Sequence, residues 1–307
     1  MIFIKFLMKL KNRITWLKWN FIMHSIQVIK PGYCDSIQDL GRFGYASIGV
    51  PVSGVMDALS AKMANALIRN SQQNAVLEMA LIGPVLMFQK EAVIAISGAD
   101  MSPKLNDIPV KMQTKLAVKT GDILSFGKAI YGCRSYLAVK NGFRTDKKLN
   151  SYAAFNGITD LVILKKGVII PIGKQLKIFR FGHSSIKVDR QHFNNEVLDA
   201  YKGPEFELLT PKQQDILLTD GFQIVKNTRM AYQFADVPSL AHKCEILTSA
   251  VMPGTVQLTQ SGKLMALMKD CQTTGGYPRI LQLSDEAIAV LAQKNTCQKI
   301  KFKIIHL

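Results

Sequence analysis

Residues 31–44 read Pro31-Gly32-Tyr33-Cys34-Asp35-Ser36-Ile37-Gln38-Asp39-Leu40-Gly41-Arg42-Phe43-Gly44, and the pattern resumes at 49–57 as Gly49-Val50-Pro51-Val52-Ser53-Gly54-Val55-Met56-Asp57. Glycine frees the backbone and proline removes an N–H, so a stretch punctuated by both does not propagate a helix. Short apolar pieces between such breaks are the mark of strands joined by turns. A second stretch of this kind lies far down the chain: Pro253-Gly254-Thr255-Val256-Gln257, continuing at Asp270-Cys271-Gln272-Thr273-Thr274-Gly275-Gly276-Tyr277-Pro278. Both combine polar side chains with glycines that let backbone N–H groups come close to a ligand.

Outward from these stretches the same rhythm predicts a mainly β fold with a few helices. Strands are expected at Ala92–Ile96, Ile123–Phe126, Ser135–Val139, Leu161–Leu164, Gln175–Phe179, Leu264–Met268 and Ile300–Ile305, too closely spaced for a regular βαβ series. Three helices are expected. The first covers Met56–Ile68, with Met56, Leu59, Met63 and Leu67 as its core face. Another starts at Thr210, where Thr210-Pro211-x-Gln213 joins a capping box to a proline at the first helical position. The last covers Asp285–Gln293, opening after Ser284 on two acids. A polar stretch over 181–200 suggests a boundary between a subdomain at 23–190 and another at 191–307.

Bulk composition bounds the function. With 307 residues, 48% hydrophobic and 20% charged, the chain has ample material for one large core or two smaller ones. A net charge of +17 suggests nucleic acid, but the lysines are scattered and form no basic stripe interleaved with aromatics, so no nucleic-acid partner is expected. Five cysteines, odd in number and without a C-x-x-C pair, indicate neither a disulfide framework nor a zinc site, and the histidines show no ligand spacing. A reducing cytoplasm suits this usage. Residues 1–22 carry five basic residues and no acid, and lack the apolar run of a signal peptide or membrane span. Their apolar positions recur at helical steps, which suits a basic amphipathic helix; the alternative expectation is a start at Met23 with the preceding residues as an extension.

Generic motifs are missing: Gly127–Gly132 has phosphate-loop spacing but Cys133 and Arg134 follow it, and no nucleophile elbow or dinucleotide fingerprint occurs. The two polar stretches are more specific. Together with Leu77-Glu78, Gly83-Pro84, Ile96-Ser97-Gly98-Ala99-Asp100, Gly121-Asp122 and Tyr136-Leu137-Ala138-Val139, they resemble the biotin-dependent carboxyltransferase-like family that includes the C subunit of 5-oxoprolinase, the antagonist of the Kip kinase inhibitor, and allophanate hydrolase subunit 2. The resemblance runs from about Ile26 to Ile305. Departures exist. Where the family usually reads Ser-Asp-Arg-Met-Gly-Tyr-Arg-Leu, this chain has Asn227-Thr228-Arg229-Met230-Ala231-Tyr232-Gln233-Phe234, one acid and one base short.

The resemblance implies two cyclophilin-like β-barrel subdomains and a hydrolase that opens 5-oxo-L-proline to glutamate at the expense of ATP. It also implies partners, a Kip-inhibitor-like B subunit and a lactam-utilisation A subunit, with ATP bound somewhere in the complex and no membrane. Candidate residues follow from their chemistry. Gln38, Asp39 and Arg42 supply an amide, a carboxylate and a planar fork suited to a substrate carboxylate, or else Asp39 and Arg42 pair internally. Thr273, Thr274, Gly275, Gly276 and Tyr277, with Gln257 nearby in the motif, form an oxyanion or phosphate cradle, or else a tight loop whose glycines merely permit the turn. Asp270 and Asp39 are candidates for proton transfer. Arg229 is a clamp or the partner of a carboxylate such as Asp236. Asp57 suits a helix cap, and Asn65 and Glu78 suit buried hydrogen bonding. Two other functions stay open: carboxyl transfer from carboxybiotin to urea or another amide, with the biotin carrier on another chain, and neutralisation of a kinase-inhibitor protein.

Overall fold

The computed structural model describes residues 24–174, 190–244 and 246–306. The expected strand at 175–179 and the basic segment at 1–22 lie outside the described residues. The first half carries strands β1 (Ser25–Lys30), β2 (Cys34–Gln38), β3 (Val76–Ala80), β4 (Val85–Phe88), β5 (Ala92–Asp100) and β6 (Lys104–Leu105). It continues with β7 (Ile108–Pro109), β8 (Lys115–Val118), β9 (Ile123–Ser125), β10 (Tyr131–Val139) and β11 (Ile169–Pro171). They form a six-stranded sheet in the order β11-β1-β4-β9-β6-β7 and a five-stranded sheet in the order β2-β3-β10-β5-β8. Helix α1 (Ala58–Leu67) lies on the second sheet.

The sequence of β5 and β10 explains this layering. Each holds a continuous apolar run, Ala92–Ile96 in β5 and Tyr136–Val139 in β10, as a sheet covered on both faces requires. Ile94, Ile96, Leu137 and Val139 face the six-stranded sheet, whereas the alternate residues Val93, Ala95, Tyr136 and Ala138 face α1. Fully burying one of the larger of these side chains contributes about 1.5–3 kcal/mol. The helix turns Ala61, Ala64 and Leu67 inward, while Leu59, expected in its core face, is 51% exposed. Small residues are chosen because the helix sits close to the sheet.

The second half begins with a short helix α2 (Gln191–Asn194) and adds β12 (Val197–Lys202), α3 (Pro211–Thr219), β13 (Phe222–Asn227), β14 (Ala231–Phe234), β15 (Ser249–Ala250) and β16 (Thr255–Leu258). It ends with β17 (Leu264–Leu267), β18 (Thr274–Gly275), β19 (Arg279–Leu283), α4 (Asp285–Ala292) and β20 (Lys299–Ile304). Seven of its strands close a barrel in the order β12-β19-β16-β17-β14-β13-β20, with β15 and β18 as a separate ribbon. Both caps read from the sequence form: Thr210 and Gln213 make the reciprocal capping box of α3, and Ser284 accepts from the Ala287 N–H at the start of α4. Residues 161–164 are not a strand. They run as a loop that gives β2 one bond, Leu164 N–H to the Asp35 carbonyl at 2.9 Å, and without a second sheet edge their β-forming side chains build no ladder. Among the described residues no helix is long and apolar enough to cross a membrane.

Asp35 on β2 is buried, its Oδ2 accepting the Gly32 N–H while Oδ1 has no partner, and burial pushes its carboxyl up to about 6 from the ordinary 3.8. The folded state therefore holds this proton more tightly than the unfolded chain does. That contribution to stability is full below about pH 4 and is lost as pH rises through about 6, a swing of about 2–3 kcal/mol. Asp35→Asn mimics the protonated form. Denaturant unfolding should find the variant equal to the parent at pH 4 and about 2 kcal/mol more stable at pH 8.

Candidate functional site at the seam between the halves

The stretch after β2 doubles back on itself. Arg42 N–H donates to the Val52 carbonyl at 2.6 Å and Val55 N–H to the Asp39 carbonyl at 2.8 Å, which lays residues 39–42 against 52–55. Gly54, at a φ of +88°, lets the two segments touch: a Cβ there would stand 2.7 Å from the Gly41 nitrogen. Asp39 and Arg42 do not pair. The Asp39 carboxylate accepts from Gly41 N–H (2.9 Å), Ser151 Oγ (2.7 Å) and Tyr152 N–H (2.7 Å). Arg42 donates to the carbonyls of Lys148 (3.2 Å) and Ala153 (2.7 Å), its Nη1 is buried without a partner, and burial pushes its pKa down. Gln38 is likewise engaged on one side, Nε2 donating to Ser36 Oγ and the Ala154 carbonyl, with Oε1 unpartnered. A hollow of 310 Å³ opens beside Asp39, lined also by Phe43, Gln73, Lys147 and Asn150.

The two distant polar stretches meet. Ser53, fully buried at a φ of +54°, donates its N–H to the Lys269 carbonyl at 2.8 Å, and its hydroxyl has no partner. A non-glycine residue held in the left-handed region is strained, and such positions concentrate at sites. Arg229 fastens the junction. Its Nε and Nη2 grip both oxygens of Asp270 (2.8 and 3.0 Å), Nη2 also donates to the Gly54 carbonyl (2.7 Å), and Nη1 pairs with Glu78. Burial would weaken the Arg229 charge, but Glu78 and Asp270 outweigh it and hold its pKa above the ordinary value. Asp236, the partner suggested by proximity in sequence, pairs instead with Lys263 at 3.3 Å.

Glu78 on β3 is the hub. Its carboxylate accepts from Arg229, the Met56 N–H (2.7 Å) and the Tyr136 hydroxyl (2.9 Å), with Arg134 at 4.0 Å. Arg134 reaches across to the Tyr232 hydroxyl (2.8 Å) and the Ala292 carbonyl, and Gln293 bonds the Arg134 backbone and Asp57. Asp57 does cap α1, accepting from Ser60 N–H at 3.0 Å, and also binds His192 at 2.8 Å. Asn65 is a buried hydrogen-bonding residue, donating to the Asn74 carbonyl and accepting from Asn70. The seam is thus a buried polar network in which every ion has counter-charge or donors, as a low-dielectric interior demands.

The second stretch is partly committed to structure. Thr274 and Gly275 form β18 against Ser249 and Ala250, and the Thr273 carbonyl accepts from Val251 N–H at 3.1 Å. Gly276 stands in open space and Tyr277 is 44% exposed. Gln257 lies buried beneath them on β16, Nε2 donating to the Tyr277 carbonyl at 3.3 Å and Oε1 unpartnered. Arg134, Tyr232, Gln293 and His192 carry no local signal in the sequence, since the side chains they meet across the seam lie 98 or more residues away.

A paired-sheet half is locked to a closed barrel through one shared polar seam. Residues 48–304 match the family model described as carboxyltransferase domain, subdomain A and B, and the chain belongs to that family. It is similar to the 5-oxoprolinase C subunit of Haemophilus influenzae, 32% identical over 89% of this chain and 88% of that one, and to the Escherichia coli protein of the same name, 30% identical over 90% of each. A urea amidolyase of Lachancea kluyveri is 40% identical over 43% of this chain but only 7% of its own length. Among solved structures, TTHA0988 superposes with a TM-score of 0.81 at 26% identity, covering 92% of this chain. The chain spans 56% of that structure's length.

Proposed function

We propose that this chain is the C subunit of an ATP-dependent 5-oxoprolinase, which opens the lactam of 5-oxo-L-proline to L-glutamate together with a Kip-inhibitor-like B subunit and a lactam-utilisation A subunit in the cytoplasm. The observation that carries the reading is the sequence similarity, over 89–90% of this chain, to two proteins named as the C subunit of 5-oxoprolinase, against a sequence match to urea amidolyase over 43% of it. Lactam opening lies uphill, so coupling it to ATP makes chemical sense. One route transfers a phosphoryl group from ATP to the lactam oxygen, after which one water adds at the activated carbon, the ring C–N bond breaks with the nitrogen taking a proton to leave an acyl phosphate, and a second water hydrolyses that acyl phosphate to glutamate and phosphate. ATP is consumed by the complex, and no residue of this chain is assigned to it.

Within that route the seam binds and orients. Arg42, whose Nη1 is buried without a partner, is the anion-binding residue for the substrate carboxylate. Arg229, with Asp270 gripped through two bonds, aims that carboxylate as the proton-transfer group rather than binding substrate itself. Asp39, its two oxygens taken by three internal donors, shapes the loop. The open backbone at Gly276, with Thr273 and Thr274 beside it, supports the developing oxyanion.

The urea amidolyase similarity keeps carboxyl transfer as the second reading. Biotin would then be carried by another chain. The residues here fit its ureido group, because the unpartnered Arg42 Nη1 and Ser53 Oγ are donors suited to a ureido oxygen. The test is a purified complex with both partner subunits. Glutamate formation from 5-oxoproline that requires ATP and every component is expected. No glutamate, with urea-dependent consumption of carboxybiotin instead, would replace this reading with the second; no glutamate and tight capture of the Kip-type partner would make the chain a regulator.

A further inference from the structure

Asp57 is completely buried, and its carboxylate is met by four donors: Ser60 N–H and Oγ (3.0 and 2.6 Å), Gln293 Nε2 (2.7 Å) and His192 Nε2 (2.8 Å). His192 comes from α2, in the barrel half, whereas Asp57 belongs to the first half. Burial alone would push the Asp57 carboxyl up, but the bond and charge of His192, followed by Gln293 and Ser60, hold it below the ordinary range. The Asp57 N–H donates to the Tyr136 hydroxyl (2.8 Å), that hydroxyl donates to Glu78 (2.9 Å), and Glu78 pairs with the Arg229 that grips Asp270. The chain of contacts leaves the barrel half at His192, crosses the first half through three buried side chains, and returns to the barrel half at Arg229 and Asp270. Asp57, Tyr136 and Glu78 in the middle of this run are buried, and its end links at His192 and at Arg229–Asp270 are partly buried.

We infer that His192 is a positioning residue for Asp270, acting through Asp57, Tyr136, Glu78 and Arg229 across the seam between the two halves. The inference rests on the ring-opening role proposed for Asp270. Without the imidazole, Asp57 keeps three donors for a buried carboxylate and re-centres toward Ser60 and Gln293, drawing its N–H off Tyr136. Tyr136 then shifts on Glu78, and Glu78 shifts on Arg229. The outcome is a misaimed Asp270 with an intact substrate-binding loop, because Arg42 and Gln38 anchor on residues 148–154, away from this run. His192 also lines a hollow of 450 Å³ with Gln191, Asn194 and Asn195, so a small molecule can enter where the ring stood.

In the assembled complex, His192→Ala should lower kcat for ring opening about tenfold, the size of a misplaced group rather than a lost one, while KM stays within about twofold. Added imidazole should restore turnover in a saturable way. His192→Gln, which keeps a donor toward Asp57, should retain most of the parent rate. An unchanged kcat, an effect confined to KM, or a loss that neither imidazole nor glutamine repairs would overturn the inference. A second measurement is independent of activity. In a double-mutant cycle of His192→Ala with Asp270→Asn, the unfolding equilibrium constant should depart at least about threefold from the product of the single effects. Simple multiplication would overturn the inference even if the complex is a 5-oxoprolinase; a parent complex that makes no glutamate, with the threefold departure present, would remove the assigned reaction and leave the coupling standing.

Discussion

Arg229→Leu should lower the unfolding free energy by about 3–5 kcal/mol, the largest loss expected from any single change at the seam. The reason is what stays behind. Leucine removes one cation and strands two carboxylates, Glu78 at 3% exposure and Asp270, which share that cation in the parent. A buried ion without its partner carries a desolvation cost that the hydrophobic gain of leucine does not offset. Arg134 keeps its Nη1 on the Tyr232 hydroxyl and the Ala292 carbonyl, and its unpartnered Nε, 4.0 Å from Glu78, offers that carboxylate partial counter-charge and Asp270 none. Arg229→Lys should cost less than leucine, since it keeps the charge, yet it cannot span Asp270, Glu78 and the Gly54 carbonyl with one ammonium. Denaturant titration of the three proteins gives the ranking directly.

Gly54→Ala should cost about 3 kcal/mol and abolish turnover in the complex, whereas Gly44→Ala should cost only about 1 kcal/mol. Both glycines have a φ near +90°, so both substitutions carry the strain of a left-handed alanine. They differ in surroundings. A methyl at Gly54 meets the Gly41 nitrogen and Cα and the Leu40 carbonyl carbon at 2.7–2.8 Å, all backbone, while a methyl at Gly44 meets nothing within 4 Å. Relief at Gly54 requires residues 39–42 to part from 52–55. That separation moves the Gly54 carbonyl off Arg229 and disturbs Ser53 against Lys269. Equal losses for the two variants would show that close approach at Gly54 plays no part.

What the sequence discloses and what it hides follow from the range of the forces involved. The caps of α3 and α4 are legible because Thr210 to Gln213 and Ser284 to Ala287 are three residues apart. The buried strands β5 and β10 are legible from the apolar runs Ala92–Ile96 and Tyr136–Val139 within them. The inward face of α1 is legible only in part: Met63 and Leu67 pack on the core as the pattern suggests, but Leu59 is exposed and close packing on the sheet selects Ala61 and Ala64. At the site, the polar stretches mark themselves by composition, but their pairing does not. The spacing of Asp39 and Arg42 suggests an ion pair; the fold turns both toward residues 148–153 instead. Arg229 finds Asp270 41 residues on and Glu78 151 residues back, separations at which no local rule operates. His192 sits in a polar stretch with no motif, and only its meeting with Asp57 gives it meaning.

Native-state hydrogen exchange at the Ser53 amide tests the meeting of the two stretches most directly. That N–H has a single acceptor, the Lys269 carbonyl of the opposite half, in a buried segment that belongs to no helix or strand. Its exchange in the parent protein should be slowed to the level of the core strands, and in Arg229→Leu it should quicken toward that of a loop. Rapid exchange of Ser53 in the parent, alongside a protected β10, would mean that the halves do not close on one another and that no shared site exists.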